Sequence, residues 1–130
     1  MTGEKIKSVN AARLSAVKPE LAEKCRTIIQ LAANEGFSLI VTNGFRTTEE
    51  QNELYKIGRR GITGEKKVTN ARGGQSNHNH GAAVDFAFVV NGEISWEDSL
   101  YQNVGRWAKI VGLNWGGNWQ KFKDFPHVEL

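Results

Sequence analysis

Three histidines and two aspartates stand in two short stretches of this 130-residue chain, where together they could hold a metal ion. His78, His80 and Asp85 lie in the first stretch, and Asp124 and His127 lie in the second, close to the carboxyl end. Catalytic zinc commonly takes three protein ligands, often histidine and carboxylate side chains, and keeps a fourth position for water. A further carboxylate near the metal would take the proton of the attacking water and pass it to the leaving group. The two stretches therefore predict a zinc site with two histidines and one carboxylate.

Residue spacing alone does not choose between the two histidines of the first stretch. His78 and His80 would lie on the same side of an extended segment, so either could face the metal. Asp85 is better placed, because Ala83 to Val90 alternates as a strand that ends at the hairpin signal Asn91-Gly92. One face of this strand is bulky and is predicted to be core, namely Val84, Phe86, Phe88 and Val90. The other face has small residues beside Asp85, which leaves room for a metal and a substrate.

The remaining elements follow from hydrophobic spacing and local signals. Helices are predicted at 8–16, 19–34, 47–57 and from about 95 to 111. Strands are predicted at 38–42, 83–90 and 126–130, and a long loop rich in glycine, arginine and lysine at 58–74. This pattern indicates the α+β class, with a small, mostly antiparallel sheet that carries the zinc site and packs against about three helices. No linker or repeat divides residues 1–130, so a single catalytic domain is expected.

Two polar residues stand where the first strand passes into a helix. Arg46 lies in the turn at 43–47, a strand-to-helix junction where a loop residue can face a cleft. Thr47 and Glu50 fit a capping box that starts the helix, and Gln51 follows directly. On position alone, a surface ion pair for Arg46 and a solvated helix face for Gln51 are equally good interpretations.

Composition bounds the class of protein without naming a partner. Net charge is +3 and the pI is near 9.1, which leaves nucleic acid, an anionic cell-wall polymer and an acidic peptide open as partners. The single cysteine, Cys25, excludes an internal disulfide and falls on an apolar helix face, which is typical of a core thiol. No run approaches the ~18–20 apolar residues of a membrane span. The amino terminus lacks the apolar segment of a signal peptide.

The motifs resemble those of the LAS-type zinc peptidases, a family that includes lysostaphin, D-Ala-D-Ala metallopeptidases and hedgehog domains. Ser76-x-His78-x-x-Gly81-x-Ala83-x-Asp85 is similar to their S-x-H-x-x-G-x-A-x-D signature, and Asp124-x-x-His127 to their second motif. Gly44-Phe45-Arg46-Thr47-x-x-x-Gln51 resembles a segment of the D-Ala-D-Ala carboxypeptidase branch. The L-alanyl-D-glutamate endopeptidases, among them phage endolysins, are most similar at 55–59, 71–76 and 115–119. The resemblance covers roughly residues 8–130, almost the whole chain.

The resemblance implies a role for each candidate residue. The ligands of one zinc ion per chain would be His78, Asp85 and His127. The substrate would be held by Arg46, Gln51 and Ser76. A guanidinium suits this task, because it can bind a peptide carboxylate through two parallel hydrogen bonds. Asp124 would be the catalytic general base, and His80, at a variable position of the signature, would lie at the cleft rim.

The implied reaction is hydrolysis of the amide between L-Ala and D-Glu in the peptidoglycan stem peptide. Zinc-bound water would attack the L-Ala carbonyl while Asp124 transfers the proton. The expected partner is therefore the bacterial stem peptide, with no nucleic acid and no stable membrane association, and the protein is expected to be a monomer. Without a signal peptide, we expect synthesis in the host cytoplasm and action on the cell wall after release, as for a phage endolysin.

Three alternatives stay open at this point. A D-Ala-D-Ala carboxypeptidase of the same fold would differ only in the peptide that fits. A catalytically silent cell-wall-binding domain is disfavoured because Asp124 accompanies all three ligand candidates. The string His78-Asn79-His80 and the basic pI suggest a metal nuclease of the HNH type. That fold needs a histidine on the helix after the Ala83–Val90 strand, and this helix has none.

Overall fold

The central strand of the sheet is β2 (Ala83–Val90). β1 (Ser38–Asn43) pairs with one edge of β2, while β5 (His127–Glu129) and β3 (Glu93–Ser95) pair with opposite ends of its other edge. β4 (Asn114–Trp115) pairs with the outer edge of β5. All pairs are antiparallel, so the α+β class with a small antiparallel sheet is confirmed. The structure, a computed structural model, describes all residues from 1 to 130.

Four α-helices accompany the sheet: α1 (Gly3–Leu14), α2 (Pro19–Asn34), α3 (Thr48–Lys56) and α4 (Asp98–Val111). Helices α2 and α4 contact each other and bury their apolar stripes against one face of the sheet. Cys25 and Ile28 from α2, and Trp107 from α4, join Phe86 and Phe88 of β2 in this main core. None of the helices is long and apolar enough to cross a membrane.

Helix α1 begins earlier than the predicted residue 8, because the Thr2 hydroxyl caps it by accepting a hydrogen bond from the Lys5 amide at 3.1 Å. The helix lies against β1, the edge strand of the sheet. Its buried Asn10 donates to the Leu39 carbonyl at 3.0 Å and accepts from the Val41 amide at 2.7 Å. The Asn10 side chain thus satisfies backbone groups of β1 that have no neighbouring strand.

The hairpin predicted at Asn91-Gly92 is confirmed, and both residues have positive φ, 52° and 79°. It connects β2 to β3, a short strand that was not predicted. Ser95, predicted to start the last helix, is instead the final residue of β3. Val90, predicted to be core, is 45% exposed, because it is the last residue of β2, next to the turn, and lies outside the buried clusters.

The 58–74 segment contains no helix or strand, as predicted, yet it folds back onto α3. The Arg59 guanidinium lies 3.8 Å from the centre of the Tyr55 ring and donates to the Thr69 carbonyl at 2.9 Å. The Glu65 carboxylate accepts from the Gly58 amide at 2.7 Å and from Arg60 at 2.7 Å. These contacts hold the 67–71 part of the segment in position to form one side of a cavity.

Candidate metal centre

Strand pairing brings together the two stretches that contain the candidate metal ligands. Asp85 on β2 lies directly opposite His127 on β5. His78 approaches from a short 3₁₀ helix, Asn77–His80, which precedes β2. One potential ligand atom of each of these three residues lies within 4.8 Å of the others. The structure therefore assembles the three predicted metal ligands into one group.

The 3₁₀ helix separates the two histidines that spacing alone could not distinguish. The Ser76 hydroxyl and the Asn79 side chain form a capping box, so this segment is a 3₁₀ helix. The prediction of an extended segment was wrong. His78 is 4% exposed, with Nδ1 at 2.9 Å from the Gly44 carbonyl and Nε2 at 3.3 Å from the Asp85 carboxylate. His80 is exposed, and its Nε2 lies 2.8 Å from the Gly74 carbonyl. His80 joins neither the ligand group nor the lining of the adjacent cavity.

The His127 ring lies between two carboxylates. Its Nδ1 is 3.0 Å from one Asp85 oxygen, and its Nε2 is 2.7 Å from one Glu129 oxygen. Burial by itself would lower the pKa of His127, but the hydrogen bond and negative charge of Asp85, together with the hydrogen bond to Glu129, raise it overall. The indole of Trp119 covers the ring, with 5.0 Å between the ring centres.

Asp85 is the shared carboxylate of the group. Burial would raise its pKa, but hydrogen bonds to His127 and His78, and the charges of both rings, bring the pKa far below its usual range. The Asn43 side chain also donates a hydrogen bond to the Asp85 carboxylate at 3.2 Å. Asn43 is the β1 residue at which the register between β1 and β2 shifts. Asp85 is therefore ionised at neutral pH and available as an anionic ligand.

This donor set fits a zinc ion. The Gly44 carbonyl engages Nδ1 of His78, which leaves Nε2 directed at the centre of the group. Glu129 engages Nε2 of His127, which leaves Nδ1 directed there. Two imidazole nitrogens and one carboxylate, each held by a second hydrogen-bond partner, are typical of catalytic zinc sites that keep a position open for water.

Asp124 lies at the edge of this group, with its carboxylate 3.7 Å from Nδ1 of His127 and its side chain 44% exposed. Burial and the negative charge of Asp85 raise the pKa of Asp124. A raised pKa makes a carboxylate a better proton acceptor near neutral pH. The backbone around it is held by hydrogen bonds from the Asp124 amide to the Gly116 carbonyl at 3.1 Å and from the His127 amide to the Asp124 carbonyl at 3.2 Å.

A cavity of about 530 Å³ opens directly over the group. Of the predicted site residues, its lining includes Arg46, Ser76, His78, Asp85, Asp124 and His127. Val68, Thr69 and Ala71 of the long loop form part of its side, and Trp119 and Glu129 complete it near His127. The cavity thus has positive charge at Arg46 and carboxylates around the candidate metal position, as a peptide-binding cleft with a catalytic centre would.

Gln51 lies behind the cavity lining and is completely buried. Its carbonyl oxygen accepts from the Arg46 guanidinium at 2.8 Å, and its amide nitrogen donates to the Ala71 carbonyl at 2.8 Å. Gln51 therefore fixes Arg46 and the 69–71 backbone relative to each other. A direct contact between Gln51 and substrate stays a prediction, whereas its support of Arg46 is visible in the structure.

Two residues near the group are not among the predicted site residues. Glu129 contacts His127, and Asn77, the neighbour of His78, contacts Glu129 in turn. A signal for Glu129 existed in the sequence, because residues two apart on a strand share one face. Asn77 carried no such signal, since its contact spans 52 residues between separate elements.

The sequence profile of the VanY family, described as D-alanyl-D-alanine carboxypeptidase, matches residues 14–116. The peptidoglycan L-alanyl-D-glutamate endopeptidase CwlK of Bacillus subtilis (strain 168) is 40% identical over 129 residues, which cover 89% of this chain and 74% of CwlK.

Two solved structures share the fold. The L-Ala D-Glu endopeptidase ChiX of Serratia marcescens superposes with a TM-score of 0.72 at 28% identity, over 94% of this chain and 86% of ChiX. The D,D-pentapeptidase VanY from a VanB-type vancomycin-resistance cassette, in complex with Zn(II), has a TM-score of 0.67 at 20% identity. That likeness covers 87% of this chain and 71% of the VanY chain, and at this identity it is evidence of fold only.

Proposed function

Because the chain belongs to the VanY family of D-alanyl-D-alanine carboxypeptidases, we propose that it is a zinc peptidase that hydrolyses the L-Ala–D-Glu amide of the peptidoglycan stem peptide. The observation that carries the proposal is the convergence of His78, Asp85 and His127 beneath a cavity that Asp124 also lines. The choice of bond is supported by the identity to CwlK and the likeness to ChiX, both of which are L-alanyl-D-glutamate endopeptidases.

One zinc ion per chain would be held by Nε2 of His78, Nδ1 of His127 and a carboxylate oxygen of Asp85. When bound, zinc supplies a Lewis acid that activates water and polarises the scissile carbonyl. Asp85 contributes the negative charge that this cation requires, since its low pKa keeps it ionised. Burial of both histidines excludes bulk water from the side of the group opposite the cavity.

Asp124 is the proton carrier of the reaction. Its carboxylate accepts a proton from the attacking water as the new C–O bond forms at the L-Ala carbonyl carbon. It then donates that proton to the D-Glu nitrogen, so the C–N bond breaks and the leaving group departs as an amine. The raised pKa of Asp124 suits both steps, because the carboxyl group must bind and release a proton near neutral pH.

Arg46 is the group proposed to bind an anionic part of the substrate. Gln51 accepts one of its hydrogen bonds at 2.8 Å and leaves the remaining guanidinium N–H groups for the cavity. A carboxylate of the D-Glu residue is the matching partner, since it can take two parallel hydrogen bonds from a guanidinium. The Ser76 hydroxyl accepts from the His78 amide at 3.2 Å and keeps its own proton for a substrate carbonyl.

A D-Ala-D-Ala carboxypeptidase is the second candidate, because this activity describes the matching family. Its substrate also carries a carboxylate, so Arg46 alone does not separate the two reactions. The products do, because the endopeptidase creates a new D-Glu amino terminus, whereas the carboxypeptidase releases D-Ala.

Mass spectrometry of digested peptidoglycan tests the proposal. We expect new D-Glu amino termini with the wild-type protein, and neither these products nor activity after treatment with a chelator or in His127→Ala. His80→Ala is the matched histidine control, and we expect it to keep its zinc. Release of D-Ala without D-Glu termini would sink the endopeptidase assignment. Full zinc content and activity in His127→Ala would contradict the proposed ligand set.

A further inference from the structure

Glu129 extends the candidate metal centre along β5. His127 and Glu129 alternate with Val128, so both face the cavity side while Val128 is fully buried on the other face. One Glu129 oxygen lies 2.7 Å from Nε2 of His127, the ring nitrogen that faces away from the metal position. The Glu129 side chain is only 19% exposed, so this contact is largely shielded from water.

The second Glu129 oxygen connects β5 to the other half of the site. It accepts a hydrogen bond from the Asn77 side chain at 2.8 Å. Asn77 is the first residue of the 3₁₀ helix that carries His78. One carboxylate therefore links the segments that supply the first and the last of the three candidate ligands.

The geometry points to Glu129 as a positioning residue of the metal centre. A carboxylate acceptor at Nε2 keeps the proton of the His127 ring on that nitrogen and reserves the Nδ1 lone pair for the metal. The Asn77 contact fixes the Glu129 carboxylate in turn, so the two ligand-bearing segments keep their separation. This inference rests on the proposed zinc site.

A direct contact with substrate is the competing role for Glu129, because the residue also lines the cavity. The hydrogen bonds favour positioning, since both carboxylate oxygens already have partners, at 2.7 and 2.8 Å. Arg46, by contrast, has N–H groups left for a ligand. The two roles differ in measurable ways, because a substrate contact would change KM and leave zinc affinity unchanged.

Zinc affinity, measured by competition with a chromophoric chelator, tests the inference without relying on activity. We expect Glu129→Ala to weaken zinc binding by about 10–100-fold, the usual effect of removing such a partner. Glu129→Gln keeps an acceptor oxygen and should lose less, and Asn77→Ala should shift affinity in the same direction. Glu93 is an exposed carboxylate on β3, so Glu93→Gln is the control and should bind zinc like the wild type.

Long-range ¹H–¹⁵N spectra of the zinc-loaded protein provide the second readout. We expect the wild-type His127 ring to be protonated at Nε2 only, and Glu129→Ala to lose this single pattern. Wild-type zinc affinity and an unchanged ring pattern in both Glu129 variants would overturn the positioning role while leaving the proposed function intact. Failure of the wild-type protein itself to bind zinc would overturn the metal centre and this inference together.

Discussion

Gly116 packs directly against the backbone of Asp124, and replacing it by alanine is the sharpest test of the candidate site's geometry. A Cβ atom at this position would lie 2.3 Å from the Asp124 carbonyl oxygen and 3.1 Å from the Cβ atoms of Asp124 and His127. Ordinary contacts of a Cβ atom begin near 3.4 Å. The φ angle of Gly116 is not positive, so space, rather than backbone conformation, requires glycine here.

Gly116→Ala must therefore displace the backbone at Asp124 by about 1 Å. The 124–127 segment has little freedom to absorb this shift, because the Phe86 amide donates to the Pro126 carbonyl at 3.0 Å and His127 is paired with Asp85. A misplacement of about 1 Å in catalytic groups can cost roughly 100-fold in rate. We expect a loss of this order in kcat/KM, together with weaker zinc binding, because the proposed proton carrier Asp124 and the candidate metal ligand His127 move together.

The assay compares initial rates on purified muropeptides with zinc content and thermal unfolding for the wild type, Gly116→Ala and a control. Gly3→Ala is that control, since its Cβ would meet nothing within 4 Å at the start of α1. We expect Gly3→Ala to behave as the wild type. A folded Gly116→Ala protein with unchanged kcat/KM and unchanged zinc affinity would refute the claim that Gly116 sets the position of Asp124 and His127.

Further predictions concern three single residues, Asp124, Cys25 and Asn10. Asp124→Asn should keep its zinc but lose about 10²–10⁴-fold in kcat, because the amide cannot accept the proton. Metal analysis together with steady-state kinetics tests this prediction, and full activity would contradict it. Burial raises the pKa of the Cys25 thiol from 9.0 to about 12, so native protein should not react with a thiol reagent at pH 8, whereas unfolded protein should. As pH rises, the thiol of the unfolded protein ionises before that of the native protein. The contribution of Cys25 to the free energy of unfolding is therefore full below pH 9 and is lost progressively between pH 9 and 12. Urea titrations should show the free energy of unfolding falling with pH over this range in the wild type, and falling less in Cys25→Ala. Asn10→Ala should lower the free energy of unfolding by about 1–3 kcal/mol for each of the Leu39 and Val41 backbone groups left without a partner. Equal midpoints of urea unfolding for Asn10→Ala and the wild type would contradict this role.

Much of the fold was predictable because it rests on local periodicity. The buried stripe of α2 and the alternation of β2 placed the main core, and the capping box at Thr47 and Glu50 placed the start of α3. Misses occurred where a local hydrogen bond changes an element's limits. Thr2 extends α1 towards the amino terminus, and β3 forms only because the Asn91-Gly92 turn returns the chain to β2.

The candidate site was likewise predictable where local patterns place its residues and not where distant segments do. Alternation along β2 placed Asp85 on the side with small neighbours, and motif resemblance favoured His78 over His80. Spacing could not separate the two histidines, because the 76–80 segment is closed into a 3₁₀ turn by its own side chains. Gln51 is buried behind Arg46, because its side chain bonds both Arg46 and the Ala71 carbonyl of the long loop, and its predicted contact with substrate stays a prediction.

The candidate ligands, and the face of each element that they occupy, are readable from the chain alone, because periodicity along a strand or helix is a property of neighbouring residues. Which of those residues meet depends on the folded protein. Asp85 meets His127, and Glu129 meets Asn77, through pairing of strands and turns that lie more than 40 residues apart. Such contacts depend on the register between distant segments, and that register is set by packing of the whole core rather than by any local pattern.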